Sequence, residues 1–386
     1  GRRMMHVLAA IAGIALIASV LWEAFETVVL PRRVTRHFRF TRLFYRTTWK
    51  LWSLLLPRGR PSKRRETFLS YFGPLSLLGL FVAWAALLVI GFALLQWAAG
   101  SSLYVAAPGM PGGFWIDLYM SGTTFFTLGL GDVTPRSPLA HAVTVVECGL
   151  GFGFLALVIG YLPTIFQAFS RREVNITLLD ARAGSPPSAV ELLRRHASDH
   201  GRQGLHELLR DWERWSAELL ESHLSYPVLC YFRSQHDNQN WLAALTTILD
   251  ACSLVIVGLQ DVPRRQAQLT FAVARHAVVD LAQIFRAAPG DGPDRLSPQQ
   301  LSELRAALAE AGWKLEEGSA AEAKLKKLRA MYEPYVQSLA AFLRFSLPGW
   351  FPPASLHDNW QTSAWGRIVN GIVDPAAVAA AKDDHF

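Results

Sequence analysis

Cysteines, metal-ligand clusters and nucleotide-binding turns are scarce or missing in this chain of 386 residues. Its three cysteines, Cys148, Cys230 and Cys252, form no C-x-x-C pair, so the sequence predicts neither a disulfide framework nor a zinc site. A G-x-G-x-x-G turn is absent, which argues against a dinucleotide-binding unit. We also find no paired nucleophile and base, so an enzyme is not expected.

Acidic residues are missing from the stretch Arg32 to Arg65, which contains twelve Lys or Arg. Residues 1–170 carry fifteen Lys or Arg against six Asp or Glu, whereas the remainder carries twenty-three against twenty-five. The basic excess therefore lies in the part of the chain that also has the longest apolar runs. This pattern indicates attraction to anionic membrane lipids at Arg32 to Arg65, and it does not indicate a nucleic-acid partner.

Three long segments have little or no charge. Met4 to Trp22 and Thr67 to Ala99 have none, and Leu139 to Ser170 carries only Glu147. Each is close to or longer than the roughly 20 residues that a helix needs to cross a bilayer. The first segment runs into basic sequence and lacks a small-residue cleavage site, so we expect an anchored helix and not a signal peptide.

The basic stretch also predicts the orientation of the chain in a cell membrane. Cytoplasmic loops of membrane proteins are rich in Lys and Arg, so Arg32 to Arg65 is expected in the cytoplasm. The N-terminus then lies outside and everything after Arg171 lies inside. Three regions are predicted: residues 1–66 with a membrane helix and a basic interfacial helix, residues 67–170 as a membrane module, and residues 171–386 as a cytoplasmic domain.

A shorter apolar segment, Phe114 to Phe126, separates the last two long ones. About 13 residues at about 1.5 Å each reach only about 20 Å, so a re-entrant helix is predicted, which protein must bury at membrane depth. The segment runs into T-F-F-T-L-G-L-G-D at Thr124 to Asp132. Gly129 and Gly131 tolerate the unusual backbone angles that turn successive carbonyls to one side.

Long helix, re-entrant helix, T-L-G-L-G-D and long helix together resemble the pore module of potassium channels. The resemblance implies a homotetramer in which backbone carbonyls replace the water around K⁺. It implies a selectivity filter formed by Thr127, Leu128, Gly129, Leu130 and Gly131, with K⁺ held through the first four. The resulting expectation is an all-α membrane protein, with a tetrameric potassium-channel pore module plus an α-helical cytoplasmic domain, that conducts K⁺ passively.

Several neighbouring residues are expected to support this filter. Asp132 matches the charged residue at the outer mouth, and Tyr119 lies in a stretch that resembles the Y-F-S approach of two-pore-domain channels. Thr124 begins the motif, and Thr123 stands where some bacterial channels carry a filter-supporting Glu. Glu147 resembles a carboxylate on the inner helix of bacterial inward rectifiers, and is expected either to replace that Glu or to face a water-filled cavity.

One departure from the family concerns the usual aromatic residue between the filter glycines, which is Leu130 here. Leu supplies packing but no hydrogen bond. We therefore expect a more deformable filter that still favours K⁺ over Na⁺. A weakly selective monovalent cation channel of the same architecture is the alternative.

The predicted inner helix contains glycines and a proline that bear on gating. Gly151 and Gly153 lie where the family's gating hinge is expected, although glycines in membrane helices also permit close packing. Pro163 removes one backbone hydrogen bond and is expected to kink the helix near the cytoplasmic mouth.

Basic residues inside the acid-free stretch share one helical face, opposite aromatic and leucine side chains. They are Arg36, Arg39, Arg42, Arg46 and Lys50. This pattern predicts a helix in the membrane interface. A linker packed on protein is the alternative.

Residues 171–386 have helical periodicity, apart from a run from Val174 to Leu178 that is expected to be extended. Helices are predicted at about 188–198, 203–222, 238–260, 264–287, 297–312 and 320–346. Trp241 to Leu259 is strongly apolar and is expected to be the central helix of a bundle, with a fourth membrane span as the alternative. The domain is expected to regulate gating or assembly, with an unidentified cytoplasmic ligand or an enzymatic role as the contrasting hypotheses.

Overall fold

The computed structural model describes residues 2–30, 39–56, 63–105, 113–235, 238–260, 262–290 and 292–352. The chain forms two compact units, Gly1–Gln167 and Ala168–Phe386. Both are built mainly from helices, which confirms the predicted all-α architecture.

The first unit begins with α1 (Arg2–Ala24), which continues into a short π-helical turn (Phe25–Val29). The elements that follow are α2 (Phe40–Leu54), α3 (Lys63–Ser70), α4 (Phe72–Ala98), β1 (Leu103–Val105), α5 (Phe114–Phe125), β2 (Val133–Pro135) and α6 (Pro138–Ala183), whose last turns belong to the second unit. The two strands pair antiparallel, with Tyr104 opposite Thr134. The predicted outer helix therefore corresponds to the end of α3 and to all of α4.

The described residues of the second unit continue with seven further α-helices and a short 3-10 helix (Pro227–Tyr231). The α-helices are α7 (Ala189–Arg195), α8 (Asp199–Ser225), α9 (Trp241–Gly258), α10 (Arg264–Phe285), α11 (Pro298–Glu310), α12 (Ser319–Ala330) and α13 (Glu333–Leu343). Side chains of Ser188, Ser198, Asn240 and Ser297 cap α7, α8, α9 and α11. Each cap accepts a hydrogen bond from a backbone N–H that has no partner within the first turn of its helix.

Two predictions for this unit are wrong. Val174 to Leu178 is helical, because α6 continues without a break to Ala183 and ends only before Gly184, which has a φ of +82°. The single helix predicted at 320–346 is two helices, α12 and α13, because Pro334 in the first turn of α13 lacks the N–H that a continuous helix would use. The other predicted helices end within about one turn of the observed ones.

Close packing joins α1 to α4. A Cβ added at Gly13 would lie 2.7 Å from the carbonyl oxygen of Gly91, and one added at Gly91 would lie 2.7 Å from Cγ1 of Ile17. Both distances are too short for a carbon atom. The two helices therefore approach each other closely because these side chains are missing.

Glu23, near the end of α1, holds the start of α2. Its carboxylate accepts hydrogen bonds from the backbone N–H groups of Phe40 and Thr41, both at 3.2 Å, and from the Thr41 hydroxyl at 2.8 Å. A side chain of one helix thus satisfies the free donors in the first turn of another. A carboxylate in this place also complements the positive end of the helix dipole.

The aromatic side of α2 packs on protein. Trp49 meets Phe72 with ring centroids 4.8 Å apart, and Trp52 stacks on Phe68 at 4.6 Å. Leucines on another side remain exposed, namely Leu43, Leu51, Leu54 and Leu55. Residues 31–38 and 57–62 of the basic stretch lie outside the described residues. Arg36 of the predicted basic face is among them. The predicted placement of this helix in the membrane interface stays a prediction, and the exposed leucines are the apolar surface available for it.

Every residue of α9 is buried in the core of the second unit. Neighbouring helices of the same unit, α7, α8, α10, α12 and α13, surround it. By length and composition α9 could cross a membrane, as could Arg3–Val29, Lys63–Ala98 and Pro138–Ala183. Because its own unit covers it completely, the structure supports the prediction of a central helix over that of a fourth span.

An ion-pair cluster lies against this core. The fully buried carboxylate of Asp250 accepts hydrogen bonds from the Arg295 guanidinium at 2.6 and 3.2 Å and from the Tyr332 hydroxyl. Glu333 contacts Arg295 at 3.2 Å. Burial by itself would lower the pKa of Arg295, but the Asp250 carboxylate raises it above its usual value. Since an unpaired buried carboxylate is costly, Asp250 depends on this arginine.

Candidate functional site

The short helix α5, predicted to be re-entrant, is held by polar contacts to the long helices of its unit. Ser121 is fully buried, and its hydroxyl lies 2.8 Å from the carbonyl oxygen of Val89 on α4 and also contacts the carboxylate of Glu147 on α6. Met120 and Phe125 are also buried. Protein therefore covers the inner side of α5, as a helix that does not span the membrane requires.

The segment that follows α5 has an alternating backbone. Thr127, Gly129 and Gly131 have φ values of +58°, +55° and +78°, whereas Leu128 and Leu130 between them are not in this region. Positive φ at every second residue turns successive peptide units the same way, so that like groups can face one side. Glycine adopts this conformation freely, while Thr127 adopts it at some cost.

The predicted filter is open to its surroundings in the single chain. Leu128 and Leu130 are 62% and 63% exposed, and an added Cβ at Gly129 or Gly131 would meet no atom within 4 Å. Packing of other side chains against the exposed side of this segment therefore does not impose its backbone conformation. It is held from the C-terminal end of α5.

Backbone groups of Thr123 and Thr124 anchor the inner end of this segment. The carbonyl oxygen of Thr123 accepts hydrogen bonds from the N–H groups of Leu128 at 2.8 Å and Gly129 at 3.4 Å, and that of Thr124 accepts from Thr127 at 3.0 Å. The Thr123 hydroxyl donates to the carbonyl of Met120, within α5. The two threonines thus contact the segment through their main chain, and the Thr123 side chain is turned away from it.

Tyr119 and Asp132 anchor the outer end. The Tyr119 hydroxyl donates a hydrogen bond of 2.8 Å to the Asp132 carboxylate, whose other oxygen accepts from the N–H of Val133 at 3.0 Å. The structure therefore joins two residues that the sequence singles out separately. A tyrosine on α5 supplies a hydroxyl tie to the end of the segment, although Leu130 inside the segment cannot.

Glu147 lies at the back of α5 and away from the exposed segment. It is fully buried, and its described hydrogen bond is to Ser121. This contact links Glu147 to the helix that precedes the predicted filter, and both predicted roles of Glu147, at the filter or facing a water-filled cavity, stay predictions. It joins α6 to α5.

Gly151 lies where α6 passes the end of α5. A Cβ added there would overlap the carbonyl group of Phe125, with 2.9 Å to its carbon. Gly153, two residues further on, would meet no atom within 4 Å. This close approach favours the packing role for Gly151. Pro163 stands inside α6, which remains helical on both sides of it.

The sequence does not by itself point to two residues that join helices at this site, Gln96 and Ser121. Gln96 on α4 donates to the carbonyl of Ala140 at 3.3 Å and to the Thr144 hydroxyl at 3.0 Å on α6. Ser121 joins α5 to both α4 and α6. Both residues are polar positions in otherwise apolar helices, and that isolation was the available signal, since buried polar groups need partners.

Comparison with known proteins places this geometry in a family context. Residues 80–168, which include α5, the alternating segment and the membrane-length part of α6, match a family model described as ion channel. The chain is also 22% identical over 193 residues to an uncharacterized membrane protein, YdjJ, of Bacillus subtilis (strain 168). That alignment covers 50% of this chain and 56% of the relative, so the chain spans about half the length of the curated relative that it matches. No solved structure matches the chain.

The match and the helices together define the coarse function. Within the part of the chain that the structure describes, no group of three His, Cys, Asp or Glu residues could hold a metal ion. For residues 80–168 the family match points to a channel. The chain is therefore an all-α membrane protein whose residues 80–168 are similar to the ion-channel family.

Proposed function

We propose that this protein is a potassium-selective channel that conducts K⁺ passively through a pore shared by four identical subunits. The observation that carries the proposal is the alternation of positive φ at Thr127, Gly129 and Gly131, in an uncovered segment directly after a re-entrant helix. An ion-channel domain with one such segment needs further copies to close a pore around it.

In the proposed mechanism, four copies of the segment face a common axis. Carbonyl oxygens of Thr127, Leu128, Gly129 and Leu130 replace the hydration shell of K⁺ as it passes between successive sites. The ends of each segment are held by the α5 main chain and by the bond between Tyr119 and Asp132. Thr127 would close the inner end with its hydroxyl as well as its carbonyl, and the other side chains of the filter would take no part in binding the ion.

The test is potassium flux into liposomes that contain purified protein. Gly129→Ala places a Cβ on a residue with φ +55°, which strains the backbone, so flux is expected to vanish while the assembly survives. Gly149→Ala is the matched control, because Gly149 lies in α6 and an added Cβ there meets no atom within 4 Å. Normal flux through the Gly129 variant would end the filter assignment.

Selectivity is proposed to favour K⁺ over Na⁺ with a more deformable filter than one that carries an aromatic residue at Leu130. The Tyr119 hydroxyl stiffens the outer end but not the position between the glycines. Leu130→Tyr should sharpen discrimination between the two ions or stabilise the filter at low K⁺. Equal reversal potentials in the two proteins, with Na⁺ as permeant as K⁺, would favour the weakly selective cation channel instead.

Orientation is proposed from the basic stretch. Arg32 to Arg65 faces the cytoplasm and contacts anionic lipid headgroups, while residues 100–113 lie outside and the second unit lies inside. A cysteine placed at Ser102 should react with an impermeant maleimide added outside intact cells. Labelling from the cytoplasmic side alone would overturn this topology.

The second unit is proposed to regulate gating. Arg172, in the last turns of α6, is buried and donates hydrogen bonds of 2.9 Å to the carbonyls of Leu229 and Phe232. This arginine fastens the end of the inner helix to the domain that follows. Arg172→Gln should change the open probability and leave ion selectivity as it is. Unchanged gating under all conditions would reduce the domain to an assembly scaffold.

A ligand-binding role is a second candidate for this unit, favoured by a cavity of about 350 Å³ beside Arg172. Its lining includes Arg171, Trp215, Glu218, Glu221, Ser222 and Ser225. A ligand there would contact α6 directly and could bias its position. Trp215 lines the cavity, so a change in tryptophan fluorescence on adding cell metabolites, absent in a Ser222→Trp variant that fills the cavity, would support this role.

A further inference from the structure

His223 is a fully buried histidine near the C-terminal end of α8. Its Nδ1 atom lies 2.8 Å from the carbonyl oxygen of Leu219, one turn earlier in the same helix. A carbonyl oxygen can only accept a hydrogen bond, so Nδ1 carries a proton and donates it there. The neutral imidazole therefore has its lone pair on Nε2.

That lone pair faces the guanidinium of Arg172. Nη1 of Arg172 lies 3.3 Å from Nε2 of His223. A guanidinium keeps its charge and can only donate, so the imidazole is the acceptor in this contact. Nη1 and Nη2 also donate to the carbonyls of Leu229 and Phe232, each at 2.9 Å. His223 is thus one of three acceptors, outside α6, that hold the side chain of Arg172.

Charged groups on α6 and α8 leave this contact without a carboxylate on the imidazole. Glu173 accepts from Nε of Arg172 at 2.9 Å and offsets the charge of that guanidinium. Arg171 on α6 is exposed, as are Glu218 and Glu221 on α8. Among the residues that the structure describes, no carboxylate forms a hydrogen bond or an ion pair with the imidazole.

The other elements around the imidazole present neutral groups. On the 3-10 helix, Cys230 and Tyr231 are buried, and burial raises the pKa of both side chains, so neither ionises near neutral pH. On α9, the ring centroid of Trp241 lies 5.5 Å from that of the imidazole. Arg172 is therefore the charge that acts on His223.

A proton on Nε2 of His223 would turn this attraction into repulsion. An imidazolium has donors at both nitrogens and no lone pair, so it cannot accept from Arg172. Two like charges would then face each other across 3.3 Å without water between them. Burial first, and then the charge of Arg172, hold the pKa of His223 well below its usual value. The imidazole can therefore keep a proton only after the two side chains have moved apart.

We infer that His223 is a positioning residue whose neutral imidazole holds Arg172, and that acid on the side of the second unit loosens the end of α6 by protonating this imidazole. Other bonds remain when the contact is lost, since Nε1 of Trp215 donates to the carbonyl of Arg172 at 3.2 Å. Acid therefore loosens α6 and does not detach it. Its effect on flux rests on the gating role proposed above for Arg172.

The pH window follows from the sign of the linkage. A histidine whose pKa is lower in the folded state than in the opened state favours opening when protons are available. With respect to His223, the contact is fully stable above the ordinary histidine pKa of about 6.5. Its stability falls as the pH drops below that value, and the loss continues down to the lowered pKa of the folded state.

The experiment compares the full-length wild type with His223→Gln, whose side chain is neutral at every pH. Hydrogen exchange of residues 168–183 in detergent is measured at about pH 7.5 and about pH 5.5, one unit above and below the ordinary histidine pKa. Comparing two proteins at one pH removes the intrinsic pH dependence of exchange. At the lower pH the opening equilibrium constant of the wild type, relative to the variant, is expected to rise about tenfold over its value at the higher pH.

His276→Gln is the matched control. His276 lies on α10 with a side chain that is 63% exposed, 3.8 Å from Asp280. This variant should keep the acid response of the wild type. An equal loss of the response in both variants would show a general effect of acid and would remove the support for His223. Wild-type protection that is unchanged between the two pH values, corrected for intrinsic exchange, overturns the inference even where His223→Gln does not fold.

Potassium flux from liposomes, measured with the same proteins and with acid on the side of the second unit, separates the remaining outcomes. A change in flux at the lower pH that His223→Gln lacks supports the inference. An acid response in exchange without one in flux, in a protein that conducts, overturns the regulatory role of this contact. Absence of flux at every pH contradicts the proposed function, while the exchange data still decide whether His223 holds Arg172.

Discussion

α6 and α9 are both long and apolar enough to cross a membrane, yet they bury very different shares of their side chains. In the most apolar stretch of eighteen residues, 11% of α6 is buried inside the chain, against 100% of α9. α6 leaves its apolar surface for lipid or for other copies, whereas α9 uses its surface to build the core of its own unit. Apolar composition thus indicates that a helix is removed from water. It does not indicate whether lipid or protein surrounds that helix.

The two units also differ in how they treat buried polar groups. In the first unit, several buried side chains join helices through single contacts with uncharged partners: Gln96 donates to the Thr144 hydroxyl, and the Glu147 carboxylate contacts the Ser121 hydroxyl. In the second unit, Asp250, Arg295 and Glu333 form a network of opposite charges. A network of this kind is sensitive to the loss of any one member, because the remaining charge stays buried.

The largest expected effect is the removal of Arg295. Arg295→Leu leaves the Asp250 carboxylate buried without its cation and is expected to destabilise the second unit by about 3–5 kcal/mol. Chemical unfolding of the full-length protein in detergent measures this. Arg264→Leu is the control, because Arg264 pairs with Glu316 at 3.5 Å on the surface and its loss should cost no more than about 1 kcal/mol. Similar losses in both variants would contradict the assignment of Asp250 and Arg295 as a buried pair.

The next comparison uses the same substitution in the two contrasted helices. Leu249 of α9 is fully buried, whereas Leu155 of α6 is 55% exposed. Leu249→Ala should destabilise the second unit by about 2–5 kcal/mol through the cavity it leaves. Leu155→Ala should leave the stability of that unit within about 0.5 kcal/mol of the wild type. Equal unfolding midpoints for the two variants would mean that α9 is not the core.

A smaller effect is expected at the outer end of the filter. Tyr119→Phe removes the hydroxyl that donates to Asp132 at 2.8 Å, an exposed hydrogen bond in this chain. We expect flux to depend more strongly on K⁺ concentration, with the assembly unchanged. Tyr104→Phe is the matched control, because the Tyr104 ring contacts Arg136 and would keep that contact. If both variants behave like the wild type, the tie does not stiffen the filter.

The smallest effect concerns an exposed ion pair of the second unit. A hydrogen bond of 2.5 Å from Arg329 lowers the pKa of Asp294. A carboxyl whose pKa is lower in the folded state stabilises the protein above its unfolded pKa, and this contribution is lost as the pH falls through the lower folded value. Because the Asp294 side chain is 61% exposed, screening limits the gain to less than about 1 kcal/mol. Between neutral pH and acid below about pH 4, the free energy of unfolding should therefore fall less in Asp294→Asn than in the wild type. Unfolding measured at several pH values tests this. An identical acid profile in the variant would refute this contribution.

Features that depend on neighbouring residues were predicted well from the sequence. A short helix was predicted at Phe114 to Phe126, and α5 spans Phe114–Phe125, because length and apolar character are local properties; its re-entrant placement stays a prediction. The glycines of the motif predicted an unusual backbone, and Gly129 and Gly131 have positive φ. The extended run at Val174 to Leu178 was predicted wrongly, because five residues carry too little pattern to outweigh an uninterrupted helix on their N-terminal side.

Contacts between distant residues could not be predicted in the same way. The sequence singled out Glu147 but not its partner, since Ser121 lies 26 positions away and many side chains could have met that carboxylate. Tyr119 and Asp132 were each expected at the filter, but their hydrogen bond depends on how α5 and the following segment turn back on each other. The packing of Gly151 against Phe125 likewise depends on where two helices cross.

The sequence by itself determined which segments must leave water, where a short helix must turn back, and where the backbone needs glycine. These follow from composition, length and local sterics, which each segment carries with it. The tertiary structure alone decided that α9 is enclosed by protein while α6 stays open, that Glu147 joins α5, and that His223 meets Arg172. The physical reason is that other segments of the chain supply burial. The chemistry of a residue shows that it needs a partner, but not which residue provides that partner.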